Sequence, residues 1–397
     1  MNNNWEYKKI GDICIVERGG SPRPINQFIT DDENGINWIK IGDTTESMYI
    51  TETAQKIKPE GMKKSRYVQP GDFLLSNSMS FGRPYILKID GCIHDGWLVL
   101  RDKDDLFDKR FLYYYLSSKT TYEKFKSMAV GGVVNNLNSE MVRKVDVPIP
   151  SKMEQAKTAD VLDKLNSVIV MYQQEIQKLD KLIQARFVEM FGDARKNPNK
   201  YDTVSFIDIV EYMGDIGSNG ANKVVVDHLD MKDKEDYAMM VRFTNFTKND
   251  FTDDVKYVSK EAYDFFKKSQ IFGGELIICK IGSAGQNYVM PYLNRPVSLG
   301  LNQIMVRIKD NILMPYLYQY LHTDYGEFLI SGCINGAVTK TITKTELKKI
   351  PVMLPPMELQ EQFADFVHQV DKSKVAIQAA LDKSQLLFDS LMQKYFG

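Results

Sequence analysis

The sequence predicts an α/β (α+β) fold in which two globular domains, each with a mixed or antiparallel sheet, are separated by an antiparallel two-helix coiled coil. Three observations predict it. An internal repeat divides the 397-residue chain into similar halves, each half ends in a long amphipathic stretch, and short apolar runs between turn residues precede each stretch. Antiparallel packing of the two helices would relate the halves by an approximate twofold axis.

The repeat consists of short matches at an offset of 203 to 205 residues. A nearly constant offset over so many matches indicates a duplication. Residues 20–70 and 214–270 share almost nothing, so the halves keep one scaffold and differ in part of their surface. The matches are, in chain order, GDFLL (71–75) with GELII (274–278), SFGR (80–83) with SAGQ (283–286), GGV (131–133) with GAV (336–338), VPIP (147–150) with VMLP (352–355), and FG (191–192) with FG (396–397).

Two long helices are predicted, the first from Ala156 to Phe191 and the second from Met357 to Tyr395. The first stretch contains no proline or glycine, and its apolar residues recur every three or four positions, which predicts a helix of about 36 residues and about 54 Å. Gly192 is well placed to end it. The apolar positions are Val161, Leu165, Val168, Tyr172, Ile176, Leu179, Ile183, Phe187 and Met190 in the first helix, and Phe363, Phe366, Val370, Ile377, Leu381, Phe388, Leu391 and Tyr395 in the second.

These apolar stripes are too long for one small domain to cover, so we expect the helices to pack on each other in antiparallel order. The alternative is two ordinary core helices in separate domains. Ser373, Lys374 and Ser384 interrupt the second stripe, where they either set the register of the pair or face a partner protein.

Each globular part combines short strands with one aromatic helix, at residues 111–116 and 316–321. The tyrosines of these helices are expected to pack in the core with their hydroxyls at its rim. Strands are predicted at 13–17, 38–41, 72–76, 85–88 and 98–101 in the first part, and at 224–227, 241–243, 275–280, 288–290 and 304–308 in the second.

The composition excludes several functional classes. Four scattered cysteines and four scattered histidines argue against a zinc site and against disulfides, and no run approaches the ~20 apolar residues that cross a bilayer. A net charge of −1 counts mildly against nucleic-acid binding, unless the 51 Lys and Arg residues are concentrated on one face.

The sequence lacks recognisable catalytic motifs. It contains no GxxxxGK[ST] phosphate loop, no GxSxG elbow and no Asn-Pro-Pro-aromatic tetrapeptide, and the acid-x-Lys spacing of a common nuclease core is missing around Glu275 and Lys280. A nuclease or methyltransferase therefore has little support. Two other kinds of protein remain. One reads two different DNA targets with its two unlike surfaces, and the other is a coiled-coil adaptor without a DNA role.

The duplicated order of these features resembles the specificity subunit of type I restriction–modification systems. The proline-containing lead-in, the Glu-Gln or Glu-Leu-Gln helix start and the Phe-Gly end carry the resemblance, which covers essentially the whole chain. One departure is that VPIPS (147–151) lacks the double proline of residues 355–356. The resemblance implies target recognition domains at residues 1–150 and 193–356, and conserved spacer helices at 151–192 and 357–397.

The resemblance also implies a set of partners. The expected DNA target is double-stranded, bipartite and asymmetric, and two methyltransferase subunits and the restriction or translocase subunits would join the same complex. The chain itself is expected to be non-catalytic, without a cofactor of its own, because S-adenosylmethionine, ATP and magnesium would be held by the partner subunits. A cytoplasmic, prokaryotic location without membrane contact is expected.

Candidates for contacting DNA are polar residues in loops that could converge on one surface. Arg and Lys side chains can pair with guanine edges, and Asn and Gln with adenine edges. For any single residue, a role in a turn or an ordinary surface position is the alternative. The candidates are Ser21, Arg23, Lys40, Asp43, Asn77, Ser80, Arg83 and the His94-Asp95 pair in the first domain, and Asn219, Asn222, Lys223, Arg242, Asn245, Lys280, Ser283, Gln286 and Asn302 in the second.

Overall fold

A computed structural model describes residues 5–77, 82–129 and 136–397 of the chain. Ser80 and the GGV match at 131–133 therefore lie outside the described residues. The chain divides into two compact units, one formed by Met1–Gln173 with Ala379–Gly397 and the other by Gln174–Gln378. Among the described helices, none is both long and apolar enough to cross a membrane.

The first unit contains two five-stranded sheets. Their orders are β3-β6-β4-β10-β7 and β2-β11-β8-β9-β5, and β1 pairs antiparallel with β12. The strands are β1 (Glu6–Lys9), β2 (Cys14–Arg18), β3 (Ile29–Thr30), β4 (Ile36–Ile39), β5 (Tyr49–Ile50), β6 (Lys56–Ile57), β7 (Arg66–Val68), β8 (Phe73–Ser76), β9 (Pro84–Leu87), β10 (Gly91–Ile93), β11 (Trp97–Asp102) and β12 (Asp146–Ile149). The α-helices are α1 (Ile10–Ile13), α2 (Lys109–Ser117), α3 (Lys119–Ala129), α4 (Ser139–Arg143) and α5 (Lys152–Phe191).

The second unit repeats this plan with four-stranded sheets. Their orders are β14-β21-β18-β19 and β16-β15-β20-β17, with two-stranded pairs β13-β24 and β22-β23. The strands are β13 (Asp202–Ser205), β14 (Val210–Gly214), β15 (Ala238–Val241), β16 (Lys256–Val258), β17 (Gln270–Ile271), β18 (Leu276–Cys279), β19 (Asn287–Val289), β20 (Val297–Leu299), β21 (Gln303–Ile308), β22 (Ile334–Asn335), β23 (Thr341–Ile342) and β24 (Pro351–Leu354). The α-helices are α6 (Asn222–His228), α7 (Phe243–Lys248), α8 (Lys260–Phe265), α9 (Met314–Leu321), α10 (Asp324–Gly332), α11 (Lys344–Leu347) and α12 (Met357–Phe396).

The internal repeat is confirmed at the level of sheet topology. The order β2-β11-β8-β9 corresponds to β14-β21-β18-β19, and both orders pair antiparallel throughout. In the other sheet, β4 lies parallel to β10 just as β15 lies parallel to β20. Strands β4 and β15 come from the segments without sequence similarity, so the shared scaffold extends beyond the matches that reveal it.

Buried glutamines fasten the starts of both long helices. The Gln155 amide nitrogen donates to the carbonyls of Leu106 (3.0 Å) and Pro150 (2.9 Å), and its oxygen accepts from the Asp108 backbone. Gln360 likewise donates to the Pro355 carbonyl at 2.9 Å. Each glutamine has no exposed surface, and the bonded proline lies five positions before it in the chain. This explains the Glu-Gln and Glu-Leu-Gln helix starts in the repeat.

The long helices are each 40 residues long, Lys152–Phe191 and Met357–Phe396. In the first unit, the start of α5 and the end of α12 share one core, in which Ala159, Leu162 and Phe396 are buried. In the second unit, the end of α5 contacts the start of α12, with Phe187 and Phe363 ring centroids 5.6 Å apart. This order of contacts is antiparallel, as predicted.

Two details of the predicted helices are clarified by the contacts. Lys374 forms an ion pair with Asp180 at 2.7 Å, which joins α12 to α5 and favours the interpretation that this polar position sets the register. Val161 is exposed, whereas Leu162 and Ala159 are buried. The predicted stripe was therefore wrong at this end, because α2 and its neighbouring residues cover a different face of the helix.

Two predicted strands in the second unit are wrong or misplaced. Residues 224–227 lie in α6 and not in a strand. The helix places Val225 in a hydrophobic core and leaves Val226 71% exposed. The strand predicted at 241–243 ends at Val241. The Asn245 side chain accepts a hydrogen bond from the Arg242 backbone (2.8 Å) and turns the chain into α7. The remaining predicted strands overlap observed strands.

The tyrosines of the short aromatic helices pack in the core, as expected. In α9, the hydroxyls of Tyr316 and Tyr320 donate to the carbonyls of Met353 (2.8 Å) and Pro351 (2.9 Å). In α2, the Tyr115 hydroxyl donates to the Asp146 carbonyl. These bonds tie each aromatic helix to the strand that leads into a long helix.

Candidate nucleic-acid interface

In the first unit, several candidate residues converge on Asp95, which lies just before β11. Its carboxylate accepts a hydrogen bond from the Ser21 hydroxyl at 2.8 Å and lies 2.9 Å from His94 Nε2, and Arg23 forms an ion pair with it at 3.4 Å. The Asn77 side chain donates to the Asp95 carbonyl at 2.9 Å. The structure thus places Ser21, Arg23, Asn77 and His94 around one aspartate, whereas the sequence predicted them only as separate candidates.

The ionisation of this cluster follows from its contacts. Burial raises the pKa of Asp95, but the Ser21 hydrogen bond and the electrostatic interactions with His94 and Arg23 lower it more, so that the pKa lies below its usual value. His94 Nδ1 accepts a hydrogen bond from the Gly96 backbone at 2.9 Å, which leaves the proton on Nε2, facing Asp95. Arg23 keeps 81% of its side chain exposed and can extend toward a ligand.

The other candidates of the first unit do not join this cluster. The Asp43 carboxylate accepts from the backbones of Lys40 (2.7 Å) and Ala54 (3.1 Å) and so shapes its own loop. The Lys40 ammonium donates to Gln55 at 2.8 Å. Arg83 pairs with the exposed Glu46 at 3.2 Å and lies over the Tyr85 ring, so it remains available at the surface.

In the second unit, a carboxylate from a different strand end organises the corresponding polar cluster. Asp215 follows β14 and is 4% exposed. It binds the ammonium groups of Lys280 at 2.8 Å and Lys344 at 2.9 Å, and the Ser218 hydroxyl at 2.9 Å. Burial raises the pKa of Asp215, but the hydrogen bonds from both lysines and from Ser218 lower it more, to about 2.

The Asp95 and Asp215 clusters lie at matching places in the repeat. Asn77 directly follows β8 and its backbone donates to the Gly96 carbonyl at 2.9 Å. Lys280 directly follows β18 and its backbone donates to the Asn302 carbonyl at 2.7 Å. The same backbone connection therefore supports a Ser-His-Arg-Asn set in one unit and a pair of lysines in the other.

A groove beside the Asp215 cluster collects three further candidates. Arg242, Ser283 and Asn302 line a cavity of about 390 Å³ together with the backbone of Gly282 and Gly300. The Arg242 guanidinium is held by an ion pair with Asp254 at 3.1 Å. Its fixed position and the exposed Ser283 and Asn302 give the groove a polar rim suited to the edges of bases.

The remaining candidates of the second unit divide into two kinds. Asn219 bonds to Ser269 (2.6 Å) and to the Lys268 backbone (3.0 Å), and Asn245 is 2% exposed, so both stabilise their own loops. Asn222, Lys223 and Gln286 are exposed. No described contact brings these three into the groove or to Asp215.

Sequence reasoning missed Asp215 and Lys344. Lys344 lies 129 residues from Asp215 along the chain, and nothing in the local pattern of either residue predicts their contact. One signal was present, because Thr343 and Asn138 occupy equivalent places in the repeat and each caps a short helix. That match could have directed attention to the residue that follows the cap.

Comparisons with known proteins agree with this architecture. A family model for the type I restriction modification DNA specificity domain matches residues 2–181 and 209–385. The MjaIX type I restriction enzyme specificity subunit of Methanocaldococcus jannaschii is 28% identical over 195 residues, covering 48% of this chain and 44% of that relative. The MjaVIII specificity subunit of the same organism is 18% identical over 393 residues, covering 93% and 86%.

A solved structure shows the same fold over the whole chain. The type I restriction–modification S subunit from M. genitalium aligns with a TM-score of 0.56 at 16% identity and covers 100% of this chain and 97% of that one. The family model matches both halves of the duplicated fold, so the chain contains two DNA specificity domains. This chain belongs to the family of type I restriction–modification specificity subunits.

Proposed function

We propose that this chain recognises a bipartite, asymmetric DNA sequence, with one half-site for each specificity domain and unread base pairs between them. The observation that carries the proposal is the contrast between two polar clusters that lie beside the matching strands β8 and β18 of one scaffold. Ser21, His94 and Arg23 surround Asp95 in the first unit, whereas Lys280 and Lys344 surround Asp215 in the second. Different polar groups on the same scaffold are suited to different half-sites.

The chain is proposed to act by directing partner subunits to this sequence. Large apolar side chains on α12 support a protein partner, since Val375 is 70% exposed, Leu386 is 72% exposed and Leu387 is 52% exposed. We propose that two methyltransferase subunits bind the long helices, and that restriction or translocase subunits join the complex. S-adenosylmethionine, ATP and magnesium would belong to those partners, and the methyltransferase would flip the target adenine.

The proposal is tested by expressing the chain with its methyltransferase subunit and mapping modified adenines by sequencing. We expect one motif composed of two unlike halves at a fixed separation. A continuous motif, or a palindromic one, would contradict two domains with different preferences.

A second measurement separates recognition from catalysis. The purified chain is incubated alone with S-adenosylmethionine and mixed DNA, and then with the methyltransferase subunit added. Methyl transfer is expected only in the second mixture. Transfer by the chain alone would replace the proposal with an enzymatic function.

A further inference from the structure

The lysine pair around Asp215 has an unbalanced charge. Two ammonium groups share one carboxylate, so the cluster carries a net charge of about +1 at neutral pH, because the Asp215 pKa of about 2 keeps that group ionised. Lys280 and Lys344 keep 35% and 34% of their side chains exposed, whereas Asp215 keeps 6%. The cluster therefore presents positive charge outward and its negative charge inward.

The surface around this cluster is also basic. Residues 340–349 contain four lysines and one glutamate in a chain with a net charge of −1. Lys340 and Lys348 are exposed, and Lys349 is paired with Glu346 at 2.8 Å. A local excess of lysine in a nearly neutral protein is the charge pattern that a phosphate backbone requires.

The cluster is connected rigidly to the polar groove. The Lys280 carbonyl accepts from the Ile342 backbone at 3.0 Å, and the Lys340 carbonyl accepts from Gly282, a residue that lines the groove, at 3.2 Å. These bonds hold the hairpin of β22 and β23 against the end of β18. A duplex whose bases enter the groove would therefore bring its backbone within reach of the same surface.

From this geometry we infer that Lys280 and Lys344 form a binding site for a phosphate of the DNA backbone, with Asp215 as the positioning residue that holds both ammonium groups together. The inference rests on the proposed function. It also changes the expected role of Lys280, which the sequence offered as a reader of bases. A phosphate contact strengthens binding to any sequence, whereas a base contact strengthens binding to the target alone.

The test is the salt dependence of binding between the complex of full-length chain with its methyltransferase subunit and a random-sequence duplex. Loss of one phosphate contact reduces the slope of log affinity against log salt by about one. For Lys344→Ala, we expect the affinity lost between about 50 and 200 mM salt to be three- to fourfold smaller than for the wild type. Asp215→Asn removes the shared negative charge, so its slope should become steeper by a similar amount.

Lys349→Ala is the matched control, because that lysine is in the same segment but has a glutamate of its own. Its slope should equal that of the wild type. Thermal unfolding of each variant is measured first, and binding is compared at a temperature at which all are folded. A purely structural role for Asp215 would change stability without moving the two slopes in opposite directions.

The outcomes distinguish the inference from the proposed function. If the wild-type complex shows no salt-dependent binding to DNA, both are wrong. If the wild type binds but Lys344→Ala and Asp215→Asn keep its slope, only the lysine site is wrong. A loss of target affinity without a loss on random DNA would also overturn the site, because it would make Lys344 a reader of bases.

Discussion

Replacement of Gln360 by leucine tests how the second specificity domain is fastened to its long helix. The side chain has no exposed surface, and it bonds to the Pro355 carbonyl and to the Leu313 backbone amide, each at 2.9 Å. Leucine has a similar volume but no polar atoms. The substitution therefore removes both bonds without creating a large cavity, and it leaves a buried carbonyl and a buried amide without these partners.

The magnitude follows from those two groups. An unpaired buried donor or acceptor costs about 1–3 kcal/mol, and the hydrophobic gain from leucine offsets part of the total. We expect Gln360→Leu to lower the free energy of unfolding by about 1–4 kcal/mol. Gln155→Leu should have a similar effect in the first unit, since each glutamine makes three hydrogen bonds to backbone groups.

Urea denaturation measures this loss, and hydrogen exchange at the Leu313 amide identifies its source. That amide should exchange faster in Gln360→Leu, because its acceptor is gone. Gln385→Leu is the control on the same helix. Its amide donates to the exposed Asp389, so its effect should stay within about 0.5 kcal/mol. Unchanged Leu313 exchange, with a stability loss no larger than that of the control, would refute the reasoning.

Four further predictions follow from individual contacts. Arg83→Ala should weaken binding of one half-site by about 1–3 kcal/mol and leave binding of random DNA unchanged. An equal loss of affinity for both would show that Arg83 does not read bases. Phe363→Ala should destabilise the second unit by about 3–5 kcal/mol in a denaturation experiment, since the ring is buried against Phe187 and Phe191. Because the pKa of Asp215 is lowered from 3.8 to about 2, its ionised form adds about 2 kcal/mol above about pH 4, and stability curves should show this lost as the pH falls toward about 2. Adding four residues to each long helix lengthens it by ~6 Å, so the mapped gap between half-sites should grow, and an unchanged gap would argue against a spacer role.

Much of the scaffold could be predicted because its signals are local and repeated. The long helices follow from apolar residues at three- and four-residue steps, and strands β8 and β18 follow from matching Gly-acid turns before apolar runs. The candidate site was less predictable. Polar loop residues could be named, but nothing local distinguishes Asn245, which shapes its own loop, from Ser283, which lines the groove.

The sequence by itself determined the duplication, the two long helices and the membership of the strands that carry the repeat, because each leaves a periodic or recurring pattern of side chains. Only the tertiary structure decided that β4 and β15, which have no sequence similarity, pair in parallel with the corresponding strands β10 and β20. It also decided that Lys344 and Lys280 both bind Asp215. Backbone pairing uses atoms that every residue has, and an ion pair between distant residues imposes no spacing on the chain. Neither the strand pairing nor the ion pair therefore produces a residue pattern that can be recognised in the sequence.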